Sequence, residues 1–586
     1  MVRIREAQAE RTTGTIKFPE LEGQFQHSSQ PAMDEALNEL SVRKDEWVSL
    51  RIEERIQILV EMMKAMKEVS GAWVAISLEM KNEAHGSFGE GEEWASIWPI
   101  FRLLRILRQS LEDIRVSGRP RIPGPINERA DGQVVAQVFP QTQFERLLYL
   151  GTRAEVWMQP EVTRQDLSEE QALPYRTSPS EGRVALVLGA GNIPFLPVAQ
   201  SLYKLFTPMQ VVILKLNPVN AYIGPIMEEV LRPLIDRGFL RMVYGGASEG
   251  SYLADHELVD EIQLTGSDKT FEAILFGNGE ERLKRMKRRE PRLAKRVEAE
   301  LGSVSPVIVV PGPWSEGDLE YQATQLATWL IFNSGYYCLT PRVLIQHKGW
   351  SHRQSLIAHL GDVFSSVETR KAWYPGTSGI HESFVNEHPE ALRFGRVEEG
   401  SLPWTLIADV DPTREDEIAF ATEGFCSLMA ETALEADDVV EYLDRAVAFA
   451  NERLWGTLSA TILVHPKSLI DPEIAAAVET AIADLRYGTV YVNDFTGFGI
   501  CWIVTPWGGY PNDDIYDVQS GIGVLNNALM FERTQKTVIR APFKKFPNPF
   551  LVTKRGFPAF ARRLAHFAAE PGLGKFLGVF WSALRA

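Results

Sequence analysis

The residues best suited to chemistry in this chain are a carboxylate and a thiol, Glu300 and Cys338. Glu300 opens the segment Glu-Leu-Gly-Ser-Val-Ser-Pro, which leads into an apolar strand predicted over Val307 to Val310. A helical pattern follows from about Leu319 to Ile331, and a glycine-containing loop then carries Cys338. A thiolate can attack an electrophilic carbonyl, and a carboxylate can activate the water that later releases the acyl group. The pair predicts covalent catalysis. The alternative is that Cys338 is only a small buried packing residue and Glu300 only a surface acid, which would give the same two residues in the sequence.

The sequence before Glu300 alternates short apolar runs with helical segments. Strands separated by helices of this length predict a parallel, doubly wound sheet. Sheets of this kind bind nucleotides at the carboxyl ends of their strands. The predicted strands are Val184–Leu188, Val211–Leu216, Leu240–Tyr244 and Glu261–Thr265, and the predicted helices are Pro194–Phe206 and Ala221–Arg237.

Two strand-to-helix turns of this sheet carry small residues that suit a phosphate. The first turn, Gly189 to Pro194, imitates a dinucleotide fingerprint but has Pro194 where the third glycine belongs, so the match is weak. The second turn is Gly266-Ser267-Asp268, where backbone N–H groups at a helix start would form a phosphate site. Ser267 or Asp268 could equally be an ordinary helix N-cap, and the residues alone leave both interpretations open.

The amino-terminal region is predicted to be mostly helical. Residues 1 to about 30 are expected to form a loose arm, and apolar residues at helical spacing then continue from Met33 to about Leu111. Gln133–Pro140 and Leu147–Gln159 alternate as strands and predict a hairpin ribbon. Because exposed strand edges are usually paired or covered, we expect this ribbon to contact another subunit.

The composition excludes several classes of protein. The chain of 586 residues is 45% hydrophobic and has a formal net charge of −16, so nucleic-acid binding is not expected. Three widely spaced cysteines, Cys338, Cys426 and Cys501, fit neither a disulfide framework nor a zinc site. The first residues lack the apolar core of a signal peptide, and no apolar run approaches the roughly 18 residues that span a bilayer. We therefore expect a cytoplasmic protein without a bound metal.

Nine segments of the chain, in order, resemble the aldehyde dehydrogenase superfamily, and the resemblance covers roughly Met33 to Ile539. It implies an α/β fold with a Rossmann-type parallel-sheet cofactor domain, a second α/β catalytic domain and a β-ribbon for oligomerisation. The matching segments are Gly191-Asn192-Ile193-Pro194, Val211 to Pro218, Gly245 to Ser267, Glu300 to Pro306, Asn333 to Arg342, Glu423-Gly424-Phe425, Gly488 to Asn493, Pro506 to Gly509 and Ser520 to Gly523.

The same resemblance implies domain boundaries and an assembly. We expect a homodimer or homotetramer whose subunits meet through the ribbon. The implied divisions are residues 1–30 for the arm, 31–130 and 175–302 for the cofactor-binding domain, 131–174 and 524–540 for the ribbon, 303–523 for the catalytic domain and 541–586 for a carboxyl-terminal extension.

The resemblance implies three catalytic roles. Cys338 would be the nucleophile, with its thiolate favoured by local dipoles. The side-chain amide of Asn192, beside the Cys338 backbone N–H, would face the developing oxyanion, and such a donor is typically worth ~3 kcal/mol of barrier. Glu300 would draw a proton from the water that hydrolyses the thioester.

The implied cofactor is NAD or NADP. Lys215 and Glu423 would hold ribose hydroxyls, and Phe425 would pack beside the nicotinamide ribose. Gly266 and Ser267 would meet the pyrophosphate. NAD-preferring members often carry an acid where this chain has Pro218. Without that carboxylate a 2′-phosphate is not repelled, so both cofactors stay open.

Three residues depart from the family pattern close to the catalytic groups. Gly191 replaces the usual Trp before the oxyanion Asn, Tyr336 replaces the usual Gln two residues before the nucleophile, and Ser303 replaces the second Gly after Glu-Leu-Gly. They change the shape near the site and leave the reacting groups in place. They therefore affect the expected substrate more than the expected mechanism.

Two reactions fit this pattern. The first is oxidation of an apolar aldehyde, including long-chain aldehydes, to the carboxylic acid. The alternative is a fatty acyl-CoA reductase of the same superfamily, which Gly-Asn-Ile-Pro followed by Lys-Leu resembles. In that reaction the thioester comes from acyl-CoA and its hydrolysis must be slow. Glu300, placed to activate water, favours oxidation, but some CoA-using relatives retain this acid.

Two segments of this acidic chain are basic. Residues 279–298 predict a solvated helical insertion, or alternatively a phosphate-binding rim. Residues 541–586 contain one acid, Glu570, and predict either an arm packed on a subunit or a peripheral membrane contact. Their basic residues are Lys544, Lys545, Lys554, Arg555, Arg562, Arg563, Lys575 and Arg585, and on a helix Phe557, Phe560, Leu564 and Phe567 would share an apolar face.

Overall fold

A computed structural model describes residues 13–15, 27–177, 179 and 181–586, so most of the predicted arm lies outside the described residues. Short 3₁₀ turns cover Pro218–Ile223, Phe332–Gly335 and Ser468–Ile470. The α-helices are α1 (Gln30–Ser49), α2 (Ile52–Lys81), α3 (Phe88–Ser117), α4 (Gln143–Leu148), α5 (Arg164–Glu170), α6 (Leu173–Thr177), α7 (Phe195–Phe206), α8 (Gly224–Ile235), α9 (Ala247–Asp255), α10 (Asp268–Phe276), α11 (Gly279–Arg288), α12 (Glu316–Ile331), α13 (Arg353–Ser366), α14 (Thr377–Glu387), α15 (Ile418–Ala421), α16 (Val439–Arg453), α17 (Pro472–Asp484), α18 (Gly497–Trp502), α19 (Phe557–Ala569) and α20 (Leu573–Arg585).

The strands form two large sheets and one small two-stranded pair, β11 with β13. The strands are β1 (Ile126–Glu128), β2 (Val134–Phe139), β3 (Arg153–Met158), β4 (Val184–Leu188), β5 (Val211–Leu216), β6 (Leu240–Tyr244), β7 (Glu261–Gly266), β8 (Arg296–Leu301), β9 (Ser305–Val309), β10 (Pro341–His347), β11 (Arg370–Lys371), β12 (Leu392–Phe394), β13 (Ser401–Leu402), β14 (Trp404–Val410), β15 (Leu428–Leu434), β16 (Ser459–Leu463), β17 (Thr489–Val492), β18 (Gly521–Ile522) and β19 (Thr534–Arg540).

The predicted parallel sheet is present, in the order β18-β8-β7-β4-β5-β6. All neighbours run parallel except β18, which pairs antiparallel with β8. Strands β4 and β5 are buried along their whole length, which explains their uninterrupted apolar sequences. Helices α1 to α3 pack beside this sheet, and the Trp47 indole of α1 donates to the carbonyl of Leu205 in α7. The predicted helical region Met33–Leu111 is therefore three helices.

The second sheet has eleven strands in the order β1-β2-β3-β19-β17-β16-β9-β10-β15-β14-β12. The predicted ribbon differs from the structure in one part, because Leu147 and Leu148 belong to helix α4 and the strand begins only at Arg153. Thr142 caps that helix by accepting from the N–H of Glu145. Strand β19 pairs with β17 of the same chain, so this edge of the ribbon is covered within the subunit. The predicted oligomer stays a prediction.

The carboxyl-terminal extension is a helical hairpin, α19 and α20, packed on α3. The apolar face expected on this helix, Phe557, Phe560, Leu564 and Phe567, is buried. A Cβ at Gly91 of α3 would overlap the Phe557 ring, so the two helices approach closely there. Of the two interpretations of this segment, an arm packed on its own subunit is the one that holds for this face. An amphipathic helix presents the same pattern to lipid and to a neighbouring helix.

The basic segment 279–298 begins with helix α11, which has no buried residue, so the expectation of a solvated helical insertion is confirmed for Gly279–Arg288. Within the part of the chain that the structure describes, no helix is both long and apolar enough to cross a bilayer.

Candidate active site

Glu300 lies at the carboxyl end of β8, between two neighbouring strands. It pairs with Thr265 of β7 on one side and with Gly521 of β18 on the other. The side chain is 3% exposed, and neither carboxylate oxygen has a hydrogen bond of standard geometry among the described residues. A buried carboxylate without partners is costly in a purely structural role. It is therefore well suited to receive a proton from water or from a thiol.

Burial raises the pKa of Glu300 to about 7. The thiol of Cys338, the Trp507 indole and the Thr265 hydroxyl oppose this shift, because each lies close enough to favour the ionised carboxylate. When the pKa of a base lies near the working pH, a large fraction of the base is ionised and can accept a proton. The same base is still basic enough to draw that proton from its donor. The environment thus prepares Glu300 for general-base chemistry near neutral pH.

The nucleophile loop has an unusual backbone. Helix α12 ends at Ile331, and the turn that follows places Asn333, Ser334 and Gly335 in the left-handed region, with φ values of 51°, 55° and 82°. A Cβ at position 335 would overlap the carbonyl oxygen of Cys426, so only glycine fits. Three consecutive left-handed residues turn the chain sharply and deliver Cys338 to the region of Glu300.

Cys338 is buried, and its thiol lies beside the Glu300 carboxylate. Burial, reinforced by the negative charges of Glu300 and Glu423, holds the pKa of this thiol well above its usual range. The expectation that local dipoles favour the thiolate is therefore not met in this state, because desolvation outweighs them. Cys338 is a neutral thiol with its proton acceptor next to it.

Asn192 lies in the turn between β4 and α7, and it contacts the nucleophile loop directly. Its side-chain Nδ2 donates to the carbonyl of Tyr336 at 2.8 Å, and its own carbonyl accepts from Asn333 Nδ2 at 3.0 Å. An amide NH₂ group has two hydrogens, so one stays available for a substrate oxygen. The structure places Asn192 against the nucleophile loop, and its oxyanion role stays a prediction.

The predicted cofactor residues lie at the carboxyl edge of the parallel sheet. Lys215 is at the end of β5, and its carbonyl accepts from the N–H of Gly189 in the neighbouring turn. Gly266 ends β7, and Ser267 is the N-cap of α10, where its hydroxyl accepts from the N–H of Thr270. The N-cap interpretation of Ser267 is thus confirmed. The helix start beside it is compatible with a phosphate.

Glu423 faces the same edge from the second sheet. A Cβ at Gly302 would overlap its carboxylate, which explains why glycine follows Glu300-Leu301. Burial raises the pKa of Glu423 to about 8, and Oε1 has no hydrogen-bond partner in the described part of the chain. Phe425 packs against the rings of Tyr336 and Tyr374, with centroids 5.9 and 5.1 Å away.

These residues fit a nicotinamide dinucleotide. An unpartnered buried carboxylate oxygen on Glu423 can accept from a ribose hydroxyl, and such acceptors are rarely left empty. The start of α10, which has nine residues, would suit a pyrophosphate once the Thr15 hydroxyl, which accepts from the N–H of Asp268, is displaced. Phe425 presents an aromatic ring in the same region. The group itself would supply a hydride acceptor, and the chain would supply its orientation.

Several residues at this site were missed by the sequence analysis. Gly14 and Thr15 lie between the two sheets: the Gly14 carbonyl accepts from Glu423 N–H, and the Thr15 hydroxyl accepts from Asp268 N–H at 3.2 Å. Arg342 is buried and donates to the carbonyls of Cys426 and Gly335, which fixes the nucleophile loop. No sequence signal marks the first pair. Arg342 could have been found as a charge inside a buried strand.

Two departures from the family pattern have a steric basis. A Cβ at Gly191 would lie 2.9 Å from the side chain of Asn217, which fills the space that a larger residue would need. Tyr336 is 1% exposed, and its ring packs between Phe425 and Trp373. A buried aromatic residue therefore occupies the position two residues before Cys338. We found no structural reason for Ser303.

The fold and the site define an α/β protein with a cysteine–carboxylate pair at the carboxyl edge of a nucleotide-binding type of parallel sheet. The sequence profile of the aldehyde dehydrogenase family matches residues 147–377. Betaine aldehyde dehydrogenase of Bacillus subtilis is 26% identical over 321 residues, which cover 51% of this chain and 55% of that protein. Human mitochondrial aldehyde dehydrogenase is 30% identical over 152 residues, which cover 25% of this chain and 26% of that protein.

Solved structures extend the likeness to most of the chain. A glyceraldehyde-3-phosphate dehydrogenase from Methanocaldococcus jannaschii, complexed with NADP, has a TM-score of 0.60 at 16% identity and covers 91% of this chain and 99% of that one. A Pseudomonas syringae aldehyde dehydrogenase, complexed with NAD⁺ and octanal, has a TM-score of 0.58 at 17% identity and covers 92% and 94%. The chain therefore has the fold of these aldehyde dehydrogenases.

The matched regions limit what the relatives say about activity. The chain spans about half the length of the Bacillus relative and about a quarter of the human one. The solved structures are below 20% identity, so they establish the fold, and the reaction has to be argued from the site.

Proposed function

We propose that this protein oxidises an apolar aldehyde to its carboxylic acid with NAD or NADP as the hydride acceptor. The observation that carries the proposal is the contact between the Cys338 thiol and the Glu300 carboxylate, both of which are buried. One residue is a nucleophile that needs to lose a proton. The other is a base whose pKa of about 7 allows it to take that proton.

The first half of the reaction joins Cys338 to the aldehyde. Glu300 accepts the thiol proton while the Cys338 sulfur forms a bond to the carbonyl carbon. The carbonyl π electrons move to oxygen, and the Asn192 amide and the Cys338 backbone N–H donate to this oxyanion. Preorganised donors of this kind are typically worth about 3 to 4 kcal/mol of barrier. A nicotinamide held beside Glu423 and Phe425 would supply the acceptor for a hydride from the substrate carbon, and Cys338 would then carry a thioester.

The second half releases the acid. Glu300 first releases the proton that it took from the thiol to the solvent. It then accepts a proton from a water molecule whose oxygen attacks the thioester carbon, and this second proton is the one that returns to the Cys338 sulfur. The carbon–sulfur bond breaks, the carboxylic acid leaves, and the Cys338 sulfur regains a proton. Burial serves both halves, because it raises the basicity of Glu300 and excludes water that would compete for the oxyanion donors.

The apolar substrate class is proposed from the aromatic residues that adjoin the nucleophile loop. Phe332, at the start of the loop, stacks on Phe495 with centroids 5.3 Å apart, and Thr496 donates to the Leu339 carbonyl. Phe495 in turn contacts Phe498. Beside these rings is a small pocket that opens to solvent and is lined in part by Phe332, Phe495 and Phe498. An alkyl or aryl group gains free energy by leaving water for such a lining.

Nicotinamide absorbance tests the reaction. Purified protein would be mixed with NAD or NADP and a series of aldehydes from short to long, each with and without CoA, beside Cys338→Ser. We expect turnover without CoA that is absent from Cys338→Ser and increases with chain length. Turnover only with CoA, or only from acyl-CoA and reduced cofactor, would contradict oxidation and favour the acyl-CoA reductase.

Chain-length preference can be tested separately at the aromatic lining. Phe498→Ala should raise the KM for long aldehydes more than for short ones, because the lost ring contacts only the distal part of the substrate. Phe364→Ala is the matched control, since Phe364 is equally buried but packs on Phe394 and Trp404 away from the loop. Equal effects of the two changes on all aldehydes would contradict the proposed lining.

We further propose that the outer face of α20 contacts an anionic membrane surface. Five large apolar residues follow one another at helical spacing on this face and are 41% to 67% exposed: Leu573, Leu577, Phe580, Trp581 and Leu584. The opposite face of α20 is buried and carries Phe576, Val579 and Ala583. The exposed Arg562 and Arg563 belong to the neighbouring helix, and Arg563 lies against Gly578 of α20. Apolar side chains beside arginines suit an interface of acidic lipid headgroups.

Vesicle co-sedimentation tests this contact. Wild type should sediment with vesicles of phosphatidylcholine and phosphatidylserine, and less with phosphatidylcholine alone. Leu577→Ser with Trp581→Ser should abolish binding, whereas Ile470→Ser, at a residue 78% exposed elsewhere, should not. Unchanged sedimentation of the double variant would refute the proposal. A dimer that is lost in the double variant would also refute it, because a second copy would then cover this face.

A further inference from the structure

The nucleophile loop is held by a network of charges from helices α2 and α3, the turn between them and strand β11. Two cations and three acids take part: Lys81, Arg370, Glu83, Glu92 and Glu93. None of their side chains is more than 14% exposed. Buried charges usually cost stability relative to apolar residues of the same size. A network this large beside a catalytic loop therefore calls for a function.

Two side chains of the network, Lys81 and Glu92, bind Asn333 directly. Its backbone N–H donates to Glu92 Oε1 at 2.9 Å, and its side-chain Oδ1 accepts from Lys81 Nζ, also at 2.9 Å. Its Nδ2 donates to the carbonyl of Asn192 at 3.0 Å. Lys81 is held by Glu93 at 2.7 Å, so its charge is compensated. The side-chain oxygen and the side-chain nitrogen of Asn333 are thus both hydrogen-bonded.

Arg370 closes the network from the other side of the loop. It makes a two-pronged ion pair with Glu92 and donates to Glu83 at 2.6 Å. It also donates to the carbonyl of Ile331, the last residue of α12. The two residues that flank the start of the loop are therefore fixed to the same carboxylate, one through Arg370 and one through the N–H of Asn333.

The backbone of the loop explains why it needs this support. Asn333 and Ser334 are left-handed residues other than glycine, and each such residue costs roughly 1 to 3 kcal/mol unless its surroundings impose the conformation. Without the network, the loop would relax toward ordinary backbone angles. Cys338, four residues beyond Ser334, would then move away from Glu300.

We propose that Lys81 and Glu92 are positioning residues that act through Asn333 on both Cys338 and Asn192. The proposal rests on the proposed function, because it assigns them to that reaction. The hydrogen bonds and ion pairs described for Lys81 and Glu92 join them to the nucleophile loop, to Glu93 and to Arg370. Their loss should therefore lower kcat and leave cofactor binding unchanged.

Lys81→Met removes the charge and the donor while keeping a similar stem. We expect kcat to fall about 10- to 100-fold, as misplacement by about 1 Å does in other enzymes, with the KM for the cofactor within about twofold. Glu92→Gln should also lower kcat, but by less, because the amide oxygen of Gln can still accept from the N–H of Asn333. Lys81→Arg, which can still donate to Asn333, should recover part of the loss.

The matched control is Lys204→Met. Lys204 is another fully buried lysine with two buried carboxylates, Glu261 and Glu298, and its contacts lie in the parallel sheet away from the nucleophile loop. Breaking a buried pair should lower the melting temperature in both variants. Only Lys81→Met should lower kcat in the protein that stays folded. Equal kcat losses in the two variants would overturn the proposal.

Alkylation of Cys338 provides a readout that needs no aldehyde turnover. Iodoacetamide labelling, followed residue by residue with mass spectrometry, would be measured from about pH 6 to 9 in each variant. Lys81→Met should change the rate and pH profile of Cys338 labelling, because the thiol leaves Glu300, and Lys204→Met should not. An unchanged profile in Lys81→Met would refute the positioning role. Absence of aldehyde oxidation in wild type would instead refute the proposed function.

Discussion

Replacing Glu300 by Gln should abolish turnover and, at alkaline pH, make the folded protein more stable. Burial raises the pKa of Glu300 to about 7 in the folded protein, against the ordinary value of 4.5 in the unfolded chain. The folded state therefore holds this proton more tightly. Wild type has the full stability of the protonated carboxyl below about pH 4.5 and loses it as the pH rises through about 7. Gln does not titrate, so the variant keeps its stability.

The size of the effect follows from the shift. A difference of about 2.5 pKa units at 1.36 kcal/mol each is about 3 kcal/mol. Any change in packing caused by the amide is the same at every pH and cancels in the comparison. The stability of Glu300→Gln relative to wild type should therefore increase by about 3 kcal/mol between about pH 4.5 and pH 8.5.

Urea denaturation across this pH range measures the effect. The control is Glu257→Gln at an exposed position, where the relative stability should change by less than about 0.5 kcal/mol. A pH-independent difference between Glu300→Gln and wild type would show that Glu300 is not a desolvated carboxyl. The account of its basicity, and with it the reaction proposed here, would then fail.

Three further results are expected. Gly302→Ala should weaken cofactor binding, measured by fluorescence titration, because the new methyl group overlaps the Glu423 carboxylate. Gly14→Ala should tighten cofactor binding about fivefold. The new methyl group would overlap Asp268 and displace Gly14 and Thr15, so the N–H of Asp268 at the start of α10 would become free to bind the cofactor. Phe557→Ala should cost about 3 to 5 kcal/mol of unfolding free energy if α19 is part of the core.

Each of these results has a clear opposite. Unchanged binding in Gly302→Ala would mean that Glu423 does not contact the cofactor. Weaker binding in Gly14→Ala would mean that the Gly14–Thr15 segment helps to bind the cofactor. It would not then be a segment that the cofactor displaces from the start of α10. A loss below about 1 kcal/mol in Phe557→Ala would mean that the carboxyl-terminal hairpin is not firmly packed on α3.

The parallel sheet was predictable because its strands carry their signal locally. Val184–Leu188 and Val211–Leu216 are apolar throughout, and both predicted ranges agree with the structure. Helix α4 was missed because six residues give too little periodicity, and its signal is only Thr142 followed three residues later by Glu145. Short elements of this kind depend on capping contacts more than on hydrophobic pattern.

The carboxyl-terminal extension shows a different limit of sequence analysis. The apolar face of α19 and that of a membrane helix have the same spacing, so the sequence could not say what covers it. The structure shows that α3 covers the predicted face and that the exposed apolar residues belong to the next helix, around Trp581. Which surface is free depends on contacts between residues hundreds of positions apart.

The residues of the candidate site also fall into a group that the sequence predicted and a group that it did not. Glu300, Cys338 and Asn192 were found because the family pattern marks them, and the structure brings them together. Lys81 and Glu92 were not found, because charged residues on amphipathic helices usually face water. Their burial becomes visible only when both helices are packed against the nucleophile loop.

The central claim is that Cys338 carries the acyl group and that Glu300 releases it. Intact-protein mass spectrometry of Glu300→Gln, mixed with a long aldehyde and NAD or NADP, tests this directly. We predict an added mass equal to one acyl group, located on Cys338 by peptide mapping, while wild type shows little because it hydrolyses the thioester. An adduct on Cys426 or Cys501, or turnover by Glu300→Gln at the wild-type rate, would contradict the account.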